Sequence, residues 1–479
     1  MRTGADEYTG LVAGDFGVRA PLAAIATAFV LVAVISTLPL GSPASSQAAF
    51  VFWVIILWCG LRLIHVMTLR EFRPLDFFFL VFVIVWGGLA PLSQLSTGIN
   101  PWLTDYSNAE WTVGAELIAF AVLSYELGRL FGRGRARPTF TSRLRLNYVA
   151  EPRVVFEWVA VAVGALFVAI VGDPRVFVST RGELDAALSS AFEADQALPV
   201  LFSGIASTLV LLALMLRIRG RNSKSNPPVR QTGRLRLGIL IILFILLANP
   251  LSSSRYWFGS AAGALAILYV VGRRGASIRS IAVVALLTLT VMFPYLDKFR
   301  YAEVDRGRAG ASSESTGISS QYTTKLDYDA MQQTLDGLRQ VEAEGLTFGK
   351  QLAGTVLFFA PRSIWASKPN PTGVSIGEYM NRPSTNLSSP LWIEAYFDFG
   401  FPGVFLTFFL VGWLWVHLDG RLANSNDVIG QTLGVFLSLY QLILLRGSLQ
   451  ATVGRLAIFV AVLVWMSRAS DRSSRPQRN

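Results

Sequence analysis

The sequence is poor in the residues on which most soluble enzymes and metal sites depend. Its 479 residues include one cysteine and two histidines, and charged side chains make up 15%. The lone Cys59 excludes an intrachain disulfide and argues against thiol or zinc chemistry. There is no phosphate-binding loop, dinucleotide fingerprint or HExxH motif, so neither a metal nor a cofactor is implied. Soluble domains are usually about a quarter charged, so the composition disfavours an ordinary soluble enzyme.

Long apolar runs are what the sequence has in abundance. Hydrophobic residues make up 52% of the chain, and the mean hydropathy is +0.48. Runs of 17 to 20 apolar residues alternate with short arginine-rich stretches, which predicts an all-α polytopic membrane protein of about twelve transmembrane helices. The predicted spans lie at about 21–40, 48–67, 76–94, 112–131, 154–171, 199–217, 237–251, 256–272, 280–296, 401–418, 428–445 and 452–467.

One pair of predicted spans has weak support, and the first span has an alternative interpretation. The pair 237–251 and 256–272 is the weakest, because Asn249, Pro250 and a serine run interrupt it. A cleaved signal peptide over residues 1–47 is the alternative for the first span, but its apolar run is too long for the core of a signal peptide. We therefore expect an uncleaved first span.

The distribution of basic residues predicts the orientation. With the N-terminus in the cytoplasm, 27 of the 42 Lys and Arg residues fall in cytoplasmic segments, as the positive-inside rule requires. Both termini are then cytoplasmic. The net charge of +11 is explained by topology and anionic lipid rather than by nucleic acid. The predicted divisions are nine spans over 1–296, a large extracytoplasmic loop over 297–400, three spans over 401–467 and a basic cytoplasmic tail over 468–479.

The long loop changes character along its length. Residues 300–321 are polar and rich in Gly, Ser and Arg, which predicts a flexible loop. From Asp327 onward, apolar residues recur at three- and four-residue steps, Asp329 and Gln332 have capping-box spacing, and Gly345 follows the last apolar position. This pattern predicts an amphipathic helix lying against the membrane domain or on its surface. A second helix is predicted at about 350–359.

A compact cationic motif follows these helices. The string PRSIWASKP occupies 361–369 and places Arg362 and Lys368 six residues apart, with Trp365 between them. Fixed guanidinium and ammonium groups at an outer surface suit phosphate or diphosphate binding. The alternative is a loop held to lipid headgroups.

The block from Asp327 to Gly403 resembles the oligosaccharide repeat-unit polymerases, the Wzy-type O-antigen polymerases of bacterial envelopes. The resemblance rests on PRSIWASKP, on Asn386-Leu387-Ser388, on Glu394-x-Tyr396-x-x-x-Gly400 and on a large outer loop before the last few of twelve spans. It implies a GT-C-like, helical glycosyltransferase of the bacterial cytoplasmic membrane. Such enzymes act on undecaprenyl-diphosphate-linked oligosaccharides, beside a flippase and a chain-length regulator. Arg362 matches a functional arginine of the family.

The chemistry of such a transfer selects further residues. A diphosphate leaving group needs cations more than a proton donor, and Arg255, Arg446 and Arg455 lie at outer ends of spans, against the positive-inside trend. We predict catalytic roles for Arg362, Arg255 and Arg446, and substrate binding by Lys368 and Arg455. For the arginines at span ends, contact with outer-leaflet phosphates is the alternative.

A base must accept the proton of the acceptor hydroxyl. The acidic candidates are Asp327, Asp329, Glu378, Glu394 and Asp398. We prefer Glu394 because it lies beside Tyr396 just before span ten, where apolar surroundings favour a carboxyl that exchanges protons. A salt bridge to an outer arginine is an equal alternative, and Asp329 is expected to be a helix cap. Tyr396 and Trp365 are predicted to contact substrate.

Two other functions stay open. An O-antigen ligase is disfavoured, because His65 and His417 both fall near cytoplasmic ends of spans and no outer-loop histidine exists. A lipid-linked oligosaccharide flippase or other transporter suits twelve spans. Transporters, however, often have two similar halves, whereas here a single large loop follows span nine.

Overall fold

The computed structural model describes residues 18–38, 46–133, 150–191, 197–221, 231–274, 277–292, 322–382, 387–423 and 428–473. Within these ranges the chain is helical and contains no strand. The helices are α1 (Arg19–Ile35), α2 (Ser46–Thr68), α3 (Pro74–Thr97), α4 (Asn108–Arg133), α5 (Ala150–Val171), α6 (Arg181–Ala191), α7 (Ala197–Arg221), α8 (Gln231–Leu247), α9 (Arg255–Arg274), α10 (Ile278–Leu287), α11 (Ala330–Glu344), α12 (Lys350–Val356), α13 (Thr372–Tyr379), α14 (Leu391–Leu422), α15 (Val428–Arg446) and α16 (Leu449–Ser473).

The prediction of an all-helical membrane protein is confirmed. Among the described residues, seven helices are long and apolar enough to cross a membrane, namely α2, α3, α5, α7, α14, α15 and α16 in whole or in large part. Every predicted span overlaps a helix within the described residues, but α1, α9 and α10 are shorter and α4 carries several charges. The count of twelve spans therefore stays a prediction. The predicted flexible loop at 300–321 and the end of the basic tail lie outside the described residues.

Helix α3 forms the centre of the bundle. Its residues from Pro74 to Leu95 are buried, as expected of a helix that is apolar on all sides. Pro74 occupies its first turn, where proline is tolerated. Asp419 of α14 accepts hydrogen bonds from the backbone N–H groups of Leu75 at 3.0 Å and Asp76 at 3.2 Å. A carboxylate from another helix therefore caps α3.

Helices α4 and α14 form the most extensive helix contact among the described residues. Gly128 of α4 faces the backbone of Phe409, and Gly412 of α14 faces the backbone of Tyr125. Glycines let two helix backbones approach closely, as in the small-xxx-small motifs of membrane helices. Gly128 and Gly132 are four residues apart on α4 and have this spacing.

The described parts of the long loop, 322–382 and 387–390, cover one end of the bundle, which we call the loop end. Helix α11 is buried there from Ala330 to Gly337, so the predicted amphipathic helix exists and lies against the membrane domain. Its packing is close, because Gly114 of α4 faces Met331 and Leu335, and Gly337 faces Ile393. At the predicted boundary with span ten, Gly400 has a φ of 62° and kinks α14, a conformation that glycine adopts most readily.

The prediction that Asp329 caps α11 through its side chain is wrong. Asp329 does occupy the N-cap position of α11, but its side chain makes no cap hydrogen bond. Its carboxylate instead binds residues that are distant in sequence. The prediction for the helix's other end holds, since Gly345 follows α11 with a φ of 84°.

Candidate functional site

Two of the predicted arginines meet at the loop end. Arg255, the first residue of α9, forms an ion pair with the carboxylate of Asp327. Arg446, the last residue of α15, donates to the backbone carbonyl of Asp327 at 3.0 Å and to that of Leu326 at 2.9 Å. The hydroxyl of Tyr256 also lies 3.4 Å from the Asp327 carboxylate. Two guanidinium groups from different helices therefore converge on one residue of the loop.

Asp329 joins the same group. Its carboxylate lies 3.2 Å from the Arg446 guanidinium, accepts a hydrogen bond from the Ser388 hydroxyl at 2.6 Å and faces the indole N–H of Trp102 at 3.4 Å. Burial raises the pKa of Asp329 above its ordinary value, while Arg446, Ser388 and Trp102 act in the opposite direction. We call Arg255, Arg446, Asp327 and Asp329 the arginine–aspartate cluster.

Aromatic rings lie beside the cluster. The Arg446 guanidinium lies 5.2 Å from the centre of the Tyr256 ring, within the range of a cation–π contact. Trp86 of α3 donates from its indole N–H to the carbonyl of Asp327 at 2.7 Å. Such contacts fix the orientation of the arginine and of the loop backbone at the same point.

A second set of ion pairs and hydrogen bonds lies beside the cluster. Its residues were not among those predicted from the sequence. Arg382 lies 2.6 Å from the carboxylate of Asp336, which also accepts a hydrogen bond from the Tyr106 hydroxyl at 2.7 Å. The Arg382 guanidinium lies 4.8 Å from the Trp102 ring, so Trp102 links the two sets. Burial raises the pKa of Asp336, although Arg382 and Tyr106 oppose this effect.

A peripheral pair completes this network. Arg339 of α11 binds Glu110 of α4, and this hydrogen bond is the largest cause that lowers the pKa of Glu110 to about 2. Arg339 and Arg382 belong to the basic residues of the 297–400 loop. The positional criterion that selected Arg255, basic charge against the positive-inside trend, would also have found them.

Glu394 forms no salt bridge with a described arginine, which was the alternative to its predicted role as the base. It is 6% exposed, and both of its carboxylate oxygens accept the backbone N–H of Leu449, at 3.1 and 3.0 Å. Leu449 is the first residue of α16, so Glu394 caps that helix. The backbone carbonyl of Arg446 accepts the N–H of Ser389 at 3.0 Å. Glu394 therefore holds the turn that presents Arg446.

The motif over 361–369 forms a loop whose two cationic side chains donate hydrogen bonds to backbone carbonyls of the loop and its flank. Arg362 is exposed and donates to the carbonyl of Lys368 at 2.8 Å and to the side chain of Asn370 at 2.5 Å. Lys368 donates to the carbonyls of Phe358 at 2.7 Å and Ala360 at 2.9 Å. Partial burial, followed by the charge of Arg362, lowers the pKa of Lys368.

The surroundings of this loop are apolar and exposed. Val356 and Phe359 are each 63% exposed and Ile364 is 81% exposed. The indole N–H of Trp365 donates to the Ser367 hydroxyl at 3.0 Å. Exposed apolar side chains beside cationic groups suit a segment in the interfacial region of a membrane.

Arg455 and Tyr396 lie elsewhere. The Arg455 guanidinium lies 4.9 Å from the ring of Trp257, within the bundle. Tyr396 packs edge-on against Phe401 at 5.4 Å. Residues two apart in a helix point to different faces, so Tyr396 does not neighbour the side chain of Glu394. The structure thus brings Arg255, Arg446 and, through the backbone, Glu394 together. The motif over 361–369 contacts the start of α16 through a hydrogen bond from Gln450 to the carbonyl of Pro369 at 3.3 Å.

No group of three or more His, Cys, Asp or Glu side chains suited to a metal ion occurs in the described ranges. Comparison of the chain with protein-family models, with curated proteins and with solved structures finds no match. The physical case for function therefore rests on the residues of the loop end. There, arginines are held in place by carboxylates, carbonyls and aromatic rings.

Proposed function

We propose that this protein is a membrane glycosyltransferase that polymerises undecaprenyl-diphosphate-linked oligosaccharide repeat units into a surface polysaccharide. The reaction takes place on the outer face of the bacterial cytoplasmic membrane, both termini are cytoplasmic, and the fold is GT-C-like with twelve spans. The observation that carries the proposal is the convergence of Arg255 and Arg446 on Asp327. Asp327 is the first residue of the block of sequence that resembles the polymerases, and the two arginines reach it from outside that block.

In this proposal the cluster binds the diphosphate of the donor lipid. The acceptor hydroxyl oxygen forms a bond to the anomeric carbon, and the bond from that carbon to the diphosphate oxygen breaks. The electron pair leaves with the diphosphate, whose negative charge is stabilised by Arg255 and Arg446. The proton of the hydroxyl passes to a carboxylate, for which Glu394 is the candidate.

In the same proposal, Arg362 and Lys368 act before the transfer step. Their donors are directed at the backbone of their own loop, and exposed apolar residues surround that loop. We place them in contact with the headgroup region, where they attract the lipid diphosphate before transfer. Trp365, Tyr396 and Arg455 remain predicted contacts to the lipid-linked glycan. A flippase and a chain-length regulator are the expected partners.

The test uses the full chain in nanodiscs with lipid-linked repeat units extracted from cells that lack the gene. A ladder of glycan lengths, resolved by size, is expected. Arg446→Gln should slow its formation by about 100-fold, the effect of losing one preorganised donor to a developing anion. Arg175→Gln removes an exposed arginine outside the cluster and should leave the rate unchanged. A single transfer to another lipid acceptor would indicate a ligase, and movement of lipid without transfer would indicate a flippase.

Two variants at Glu394 separate its possible roles. Glu394→Gln keeps an oxygen that can accept the Leu449 N–H but removes the carboxylate, whereas Glu394→Ala removes both. If Glu394 is the base, both variants lose the ladder. If it only holds the turn before α16, the glutamine variant keeps most of the activity and the alanine variant alone loses it.

A further inference from the structure

The end of the bundle opposite the loop end contains a buried network of charges that the proposed function does not use. Arg62 of α2 lies 2.9 Å from Asp76 of α3 and 3.0 Å from Glu126 of α4. Arg129 donates to the second oxygen of Glu126 at 2.6 Å. All four residues are at most 8% exposed. Ionisable residues at such positions are costly in a membrane protein and are retained for pairing or function.

The acids of this network are fully engaged. Asp76 receives Arg62 on one oxygen and the Tyr125 hydroxyl, at 2.9 Å, on the other. Glu126 receives one arginine on each oxygen. Asp419 uses both oxygens to cap α3. Each oxygen of these carboxylates therefore has a hydrogen-bond partner inside the bundle.

Two arginines at this end of the bundle each have a buried nitrogen without a hydrogen-bond acceptor. Arg129 is 5% exposed, and its Nη1 atom is buried without a hydrogen-bond partner. The Nη1 atom of Arg73, at the start of α3, is buried without a partner as well. Arg133, at the exposed end of α4, lies within electrostatic range of both arginines and is repelled by each of them, whereas Asp76 attracts it. A buried donor without an acceptor is destabilising, so an anion that reached either of these Nη1 atoms would be stabilising.

The flank of this cationic group is apolar. Leu127, Leu130 and Phe131 of α4 are 43%, 53% and 42% exposed, and they lie within about two turns of Arg129 and Arg133 on the same helix. A ligand at this place meets positive charge at the end of α4 and hydrocarbon-compatible surface along its side. A free anion uses only the first of these features, whereas a phospholipid uses both.

We propose that Arg73, Arg129 and Arg133 bind the phosphate of an anionic phospholipid whose acyl chains lie along Leu127, Leu130 and Phe131. Bound lipid joins the start of α3 to the end of α4 by a shared anion. It also offsets the repulsion of Arg133 by the other two guanidinium groups. The site is separate from the arginine–aspartate cluster, and it stands whether or not the proposed glycosyltransferase activity is correct.

The test measures lipid binding to the full chain in detergent micelles by native mass spectrometry and by thermal unfolding. Phosphatidylglycerol should bind more tightly, and raise the Tm more, than phosphatidylcholine of the same chains. Each basic residue near an anionic lipid contributes about fivefold in affinity, so the double variant Arg73→Gln/Arg133→Gln should lose the preference by about 25-fold. Both substitutions avoid the Arg62–Glu126–Arg129 ion pairs.

The matched control is Arg70→Gln, which removes an exposed arginine from the same end of the bundle. It should change the affinity for phosphatidylglycerol by less than about twofold. The proposal is overturned if both lipids bind equally to the wild type, or if Arg70→Gln reduces the preference as much as the double variant does. Stabilisation by sodium phosphate alone that equals that by phosphatidylglycerol would show a site for free phosphate and refute a lipid site.

Discussion

Replacing Gly128 by alanine tests the packing on which the whole bundle depends. A Cβ atom at Gly128 would lie 1.9 Å from the backbone oxygen of Phe409 and 2.7 Å from its carbonyl carbon. Ordinary contact begins at 3.4 Å, so α4 and α14 would have to separate locally by about 1.5 Å. The obstacle is backbone, which cannot move aside as a side chain can. Overpacking of this kind costs at least about 1–3 kcal/mol.

Thermal unfolding of the purified protein, followed by tryptophan fluorescence, measures the effect. We expect Gly128→Ala to lower the Tm by several degrees. Gly238→Ala is the matched control, because Gly238 also lies inside a helix but a Cβ atom there meets nothing within 4 Å. Since alanine favours helix more than glycine does, the control should be neutral or stabilising. Equal Tm values for the two variants would refute the close approach of α4 and α14.

Two further predictions concern charge at the loop end. The pKa of Glu110 is held at about 2 by Arg339, so its contribution to stability is present above the ordinary carboxyl pKa and is lost as the pH falls from about 4.5 towards 2. The Tm difference between wild type and Glu110→Gln should therefore shrink over that range, and a constant difference would contradict the assigned pair. Asp327→Asn removes the carboxylate that competes for Arg255 and should tighten binding of an undecaprenyl diphosphate by about fivefold or more. Weaker binding in a variant with an unchanged Tm would contradict a diphosphate site at the cluster.

The positions of the helices could be predicted from the sequence because each depends on local composition. Apolar runs of membrane-spanning length reappear as helices, and the three- and four-residue spacing around Met331 and Leu335 reappears as α11. The kink at Gly400 also falls at the predicted start of span ten. These features need no knowledge of what packs against them.

The partners of the charged residues could not be predicted because they depend on contacts between distant parts of the chain. Asp329 has the spacing of a helix cap, yet its carboxylate binds Ser388 and Arg446. Asp336 accepts a hydrogen bond from Tyr106, and Arg382 donates to the hydroxyl of Thr104, each across more than 200 residues of sequence. At Asp329, contacts with distant residues thus replace the local helix cap that the sequence pattern predicts.

At the loop end, each arginine of the network faces a carboxylate: Arg255 with Asp327, Arg446 with Asp329, Arg382 with Asp336 and Arg339 with Glu110. Such pairing keeps guanidinium groups ordered in a poorly hydrated place, where an uncompensated charge is strongly destabilising. A diphosphate carries oxygens of the same kind as a carboxylate and more negative charge. Under the proposed function, a diphosphate would therefore replace Asp327 and Asp329 on the same arginines with little reorganisation. The carboxylate oxygens of these acids would then mark the positions of the phosphate oxygens. Burial raises the pKa of Asp329, which would favour its protonation after a bound diphosphate displaced it.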